Sequence, residues 1–335
     1  MAFLRETTGR FSPEKIGALA IVLLPFGLLL AQILSGGFAT SEPTGLGGAG
    51  LGGAGLSGGG PGLGGPGLGG PGLGGPGLGG PGLGGALGGE AALGARPLIQ
   101  VIHFVGDWAI RLLLLSLAVT PARRLFNWPK LLLTRRTLGL GAAALIGVHL
   151  AVYLVDVGSL ATAASEIALR IYLTIGFIAV LAFAALSATS WDGAIRRLGA
   201  ARWNRLHQLV YPATALALLH FFMQQKLDVT QPVLMTGLFV WLMGWRVLQA
   251  YGRGTGFLNL LALAAASGVL TALIEAGWYA VATGIDPVRV LQANLSFAYA
   301  ISPSWWVAGA GLGVAVLSEI VLRLRPLPAR RPARA

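Results

Sequence analysis

His103, His149, His207 and His220 are the only histidines in the sequence, and all four fall in or beside apolar runs long enough to enter a membrane. An imidazole in that setting can ligate a metal or a haem iron, relay a proton, or simply hydrogen-bond as a packing residue. There is no cysteine, which excludes disulfides, thiolate-held iron–sulfur clusters and a haem attached through a C-x-x-C-H motif. Any haem would therefore be held by side-chain ligation alone.

Two of the histidines share one stretch, RWNRLHQLVYPATALALLHFFM at 202–223. The thirteen-residue step from His207 to His220 rises about 20 Å as helix, so the two imidazoles lie at different membrane depths. On an ideal helix they also point some 140° apart, and Pro212 between them could kink the helix and change that angle. A second polar stripe, His103, Asp107 and Arg111 at i, i+4 and i+8, lines one helical face. It reads either as a self-satisfied ion pair beside a histidine or as a contact to a haem propionate or a quinone.

The elements that must position these residues are membrane spans. With 55% hydrophobic and 11% charged residues, against roughly 25% charged in soluble domains, the chain reads as an all-α integral membrane protein. Eight apolar segments are predicted, at about 16–34, 98–120, 137–155, 171–190, 202–223, 232–249, 257–283 and 301–322. The first is long for a signal peptide and is read as a retained helix. Asp156 and Glu166 bracket a short outer loop. Residues 35–97 differ in kind: PGLGG repeats five times over 61–85, a period that excludes collagen and a composition that excludes regular helix or strand. The expected organisation is a cytoplasmic N-terminus and first helix at 1–34, a flexible outer linker at 35–97, a core at 98–250, two further spans within 251–322 and a basic tail at 323–335.

The formal charge of +12 fits the positive-inside rule rather than nucleic acid, since no basic helix or aromatic RNA-binding motif accompanies it. Placing both termini inside leaves only Arg96, Arg170, Lys226 and Arg289 outside and Arg111 within a span; the remaining 19 of 24 basic residues lie inside. In that layout His149 lies roughly 18 Å from the inner face, in the same outer half as His220. Two imidazoles from facing helices at matched depth are what a six-coordinate b-type haem needs; each alone would read as a packing histidine. His103 shares that depth and could substitute as a ligand. His207 has no histidine partner in the inner half, leaving another axial ligand, a quinone or flavin pocket, or a hydrogen bond as its role. Arg170 on the outer rim is read as a haem-propionate or partner contact, or as an interfacial snorkelling arginine.

Several ordered strings resemble the haem-binding membrane subunits of bacterial methionine sulfoxide reductase, the MsrQ (YedZ) family of the ferric-reductase-like transmembrane superfamily. They are HFVGDWAIRLLLLSLAVTPARRL at 103–125, RRTLGL at 135–140 with HLAVYL at 149–154, RIYLTIG at 170–176, and TSWDGAIRRLGAARWNRLHQLVY at 189–211 with LLHFF at 218–222; LLPF at 23–26 fits the first helix. The resemblance implies a six-helix bundle, here with two extra C-terminal spans, in the bacterial inner membrane. It implies a haem b carrier taking electrons from the quinol pool or a cytosolic flavin reductase and passing them to a periplasmic molybdopterin enzyme, MsrP. His149, His207 and His220 match the family's haem-associated histidines by position, and some members are said to bind FMN, which would suit the region of His207. The PGLGG insertion and the last two spans depart from the family.

No G-x-G-x-x-G follows a strand, so NAD(P)H is not expected to be used directly. Two other functions fit the same residues: a stand-alone ferric or quinone reductase using the same haem, and a haem-free transporter or assembly factor in which the histidines and the His103, Asp107, Arg111 stripe move protons or substrate.

Overall fold

A computed structural model describes residues 12–35, 97–225, 228–298 and 300–326. The PGLGG linker and most of the basic tail lie outside the described residues. Those described form an all-helical bundle with eight helical stretches long and apolar enough to cross a membrane, one at each predicted position. Lipid cannot satisfy open backbone groups, so such runs become helices whose amide bonds close within the segment. Helix α1 (Pro13–Leu34) starts where the Ser12 hydroxyl accepts from the Lys15 amide and Pro13 supplies a preset first turn.

Helix α2 (Pro97–Leu125) is the shared wall of the bundle. Val105, Ala109, Leu112 and Leu113 on one side of it belong to a core with α1, α3 (Arg135–Val157) and α5 (Ile171–Ala188). Ile110, Leu114, Leu117 and Leu125 on another side belong to a second core with α8 (Val210–Gln224), α9 (Thr230–Ala250), α10 (Phe257–Thr283) and α12 (Pro303–Leu324). The two extra C-terminal spans are thus packed onto the histidine-bearing unit through α2 and α9 rather than standing apart from it. Elsewhere leucine, isoleucine and valine side chains such as Leu23, Leu181, Leu258 and Val281 face outward, as lipid contact requires.

Three segments are more ordered than the sequence suggests. The segment between Asp156 and Glu166, expected as a short loop, is largely a helix, α4 (Leu160–Leu169), which Ser159 caps by accepting from the Thr162 amide. At ten residues it is too short to span a membrane. The basic loop before the fifth span folds as α6 (Asp192–Leu198) and α7 (Ala200–His207). A further short helix, α11 (Pro287–Asn294), joins the last two spans; its Asn294 amide donates to Glu275 at 2.9 Å and its main-chain carbonyl accepts from the Trp305 indole at the same distance.

The fifth span tightens at its proline rather than running as regular α-helix, with Gln208 and Leu209 both keeping right-handed helical angles. Pro212 has no amide hydrogen for the Gln208 carbonyl, which accepts from Tyr211 one residue earlier at 3.1 Å. Helices α7, ending at His207, and α8, beginning at Val210, are joined by this tight turn, whose i→i+3 bonds shift the angle between His207 and His220 from that of an ideal α-helix.

Candidate functional site: a cavity between two anchored histidines

A cavity of about 460 Å³ opens among α2, α3, α4, α5 and α8, and His103, His149, His220 and Arg170 all line it. His207 does not. Its ring stacks on Trp203 with centroids 3.8 Å apart, and its Nε2 lies 3.2 Å from the Thr189 hydroxyl, at the other end of the bundle.

The two central histidines are held by the same local device. His149 Nδ1 lies 2.9 Å from the Ile102 carbonyl on α2, and His220 Nδ1 lies 2.8 Å from the Tyr172 carbonyl on α5. A carbonyl oxygen can only accept, so in each ring Nδ1 carries the proton and the lone pair resides on Nε2. Four residues beyond each carbonyl is a glycine. A Cβ on Gly106 would come 3.1 Å from His149 Nδ1, and one on Gly176 would come 2.6 Å from His220 Nδ1. Only a residue without a side chain lets the imidazole reach the helix backbone here.

The two rings are 6.3 Å apart between centroids with their planes crossed at 90°. A metal bond of about 2 Å to each Nε2, plus about 1 Å from nitrogen to ring centre, spans roughly that separation. Neither Nε2 has a hydrogen-bond partner among the described residues. No group of three or more His, Asp or Glu side chains able to hold a bare metal ion forms among them either. Two axial imidazoles suffice for a haem, whose macrocycle supplies the other four nitrogens, so these residues fit that group.

The mouth of the cavity carries a polar chain. The Tyr153 hydroxyl donates to Glu166 at 3.1 Å, Glu166 pairs with Arg170 at 3.2 Å, and Arg170 donates to the Tyr172 hydroxyl at 3.1 Å. The hydrogen bond to Tyr172 and the Glu166 charge raise the Arg170 pKa above its ordinary value. Asp107 lines the cavity wall and lies 3.8 Å from Arg111, which turns away to donate to Gln231 at 3.2 Å. Within the polar stripe on α2, Asp107 and Arg111 thus lie at ion-pair distance, while His103 and Asp107 both face the cavity. Arg111 also edges a second, apolar cavity of about 350 Å³ between α2, α9 and α12, where the buried Trp241 indole nitrogen has no acceptor among the described residues.

Sequence reasoning finds the histidines and Arg170 but not the Ile102 and Tyr172 carbonyls, nor Gly106, Tyr153 and Glu166. Backbone acceptors have no side-chain signature. The glycine of RIYLTIG, Gly176, was the available clue, since a glycine inside an apolar helix usually marks a close approach.

Residues 105–218 match the family model described as the ferric reductase like transmembrane component, which sets the class of the histidine-bearing bundle. Among curated proteins, the chain is 45% identical over 161 residues to the protein-methionine-sulfoxide reductase heme-binding subunit MsrQ of Xanthomonas campestris pv. campestris, covering 48% of this chain and 73% of that one. The proteins of the same name from Xanthomonas euvesicatoria pv. vesicatoria and Caulobacter vibrioides are 44% and 38% identical, covering 48% and 50% of this chain and 74% and 80% of theirs. The chain belongs to the MsrQ family and is a multi-pass inner-membrane protein. Helices α9 to α12 lie beyond the residues that the family model matches. No solved structure matches the chain significantly.

Proposed function

We propose that this chain is a haem b electron-transfer subunit of a protein-methionine-sulfoxide reductase system, with His149 and His220 as the axial ligands. The observation that carries this is the pair of Nδ1 anchors, which leaves both Nε2 lone pairs for the cavity at a ring separation suited to one iron. Haem supplies one-electron chemistry when bound. The chain's own residues fix the two imidazoles in tautomer and angle, as the hydrogen-bonded shell of a metal ligand commonly does. His103 borders the same cavity as a third imidazole, and Arg170 stands at the mouth to meet a propionate or the partner.

With both termini inside, the cavity lies in the outer half, and electrons pass to the periplasmic molybdopterin reductase MsrP. The donor is the quinol pool or a cytosolic flavin reductase. The lipid-depth cavity beside Arg111 and Trp241 supports a membrane-soluble donor, while the Trp203–His207 end is where FMN would meet a cytosolic one. A reduced-minus-oxidised absorbance spectrum of the purified chain tests the reading. A b-type Soret shift lost or altered in His149→Ala and in His220→Ala is expected; its survival unchanged in both overturns the ligand assignment. Loss of periplasmic methionine sulfoxide reduction in a strain lacking this chain separates the reading from a stand-alone ferric or quinone reductase.

A further inference from the structure

At the end of α2 away from the histidine cavity, three arginines converge without a counter-charge. Arg111, Arg136, Arg170 and Arg323 each reach a carboxylate. Arg123, Arg135 and Arg246 reach none among the described residues. Two hydrogen bonds bring Arg135 and Arg246 to the helix that carries Arg123. The Ser116 hydroxyl donates to the Arg135 carbonyl at 3.3 Å, which ties the start of α3 to α2. One residue on, the Leu117 carbonyl accepts from Arg246 Nη2 at 2.8 Å, which ties α9 to the same turn. Arg135 is in electrostatic reach of both Arg123 and Arg246.

The three are not equally engaged. Arg246 is occupied by the Leu117 and Leu242 carbonyls and the Tyr211 hydroxyl. Arg123 has its Nε buried with no hydrogen-bond partner among the described residues, and no carboxylate there pairs with Arg135. Clustered like charges in a half-buried setting repel strongly unless an anion joins them. The level in the membrane is marked independently: Trp128 and Trp191, at the same end of the bundle, are both close to half exposed. Exposed tryptophans at helix ends characterise the headgroup region. Arg123 stands about 30 Å along α2 from His103, one bilayer core away.

We propose that Arg123 and Arg135, backed by Arg246, form a phosphate-ester site whose occupant is the headgroup of an anionic glycerophospholipid. The guanidinium fork suits a phosphate bidentately, and basic pockets between spanning helices are the usual seats of such headgroups. The site is separate from the histidine cavity and does not depend on its occupant.

The test uses the full chain in nanodiscs of phosphatidylglycerol or of phosphatidylcholine, with native mass spectrometry of retained lipid and a thermal melt in each. Retention of phosphatidylglycerol over phosphatidylcholine and a higher Tm in the anionic discs are expected. The Arg123→Gln, Arg135→Gln double variant should retain phosphatidylglycerol about thirtyfold less and lose the Tm difference with its helical circular dichroism unchanged. Equal retention and equal Tm for the unaltered chain in both lipids overturns the proposal, and this arm decides the matter if the variant fails to fold. So does a variant that keeps the full preference. Inorganic phosphate or FMN, added to phosphatidylcholine discs, should not reproduce the Tm gain; if either does, the headgroup is not the occupant.

Discussion

Gly176 and His220 meet so closely that a single methyl group on the glycine would stand 2.6 Å from the imidazole Nδ1. That is well inside van der Waals contact and directly against the bond from Nδ1 to the Tyr172 carbonyl. Gly176→Ala should therefore push the ring off its anchor and weaken haem retention by tenfold or more, about 1.4 kcal/mol. Gly106→Ala faces a contact of 3.1 Å at His149 and should have the milder effect. Haem-to-protein ratios of the two purified variants check this ranking, and a reversed order contradicts it.

Arg246 restores what Pro121 removes. The Leu117 carbonyl lies four residues before Pro121, whose ring nitrogen cannot donate to it, and Arg246 Nη2 does so instead. Arg246→Met should leave that carbonyl unpaired in an apolar bundle and cost about 1 to 3 kcal/mol. Adding Pro121→Ala returns the helical donor, so the double variant should be less destabilised than Arg246→Met alone. A double-mutant cycle from thermal or denaturant melts measures the coupling, and strict additivity rules the pairing out.

His207→Ala should leave the b-type spectrum intact. The side chain is stacked on Trp203 and hydrogen-bonded to Thr189 rather than lining the cavity. A haem content reduced by half in this variant would instead reveal a second haem at the far end.

Asn294 joins three elements at once: it donates to Glu275 at 2.9 Å, its side-chain oxygen accepts from Ser304 at 2.8 Å, and its carbonyl accepts from Trp305. Asn294→Leu should strand the Glu275 carboxylate and destabilise the α10–α11–α12 unit by about 1 to 3 kcal/mol while leaving the haem spectrum unchanged. Hydrogen exchange of α11 and α12 alongside the absorbance spectrum tests both halves of that statement.

The spans were legible in the sequence because lipid imposes one solution on any apolar run of about twenty residues. Depth was legible for the same reason, and it paired His149 with His220 correctly as neighbours. What sequence could not supply was azimuth and backbone chemistry. The tightened turn before Val210 shows why: Pro212 was visible, but how it would alter the helix depends on which acceptor its missing hydrogen deserts and what replaces it. Likewise α4 lay hidden because its ten residues fall below the length at which hydropathy speaks, and only the Ser159 cap distinguishes it from loop.

The recurrence of carbonyl and glycine four residues apart, at Ile102 with Gly106 and at Tyr172 with Gly176, has a mechanical corollary. The two imidazoles are braced by different helix pairs, α3 with α2 and α8 with α5, so neither relies on the other for its orientation. Removing one imidazole would leave its counterpart still clamped by its own carbonyl. If His149 and His220 hold a haem as proposed, these equivalent supports would keep both imidazoles fixed while the group exchanges an electron, and low reorganisation is what a centre that only relays electrons requires.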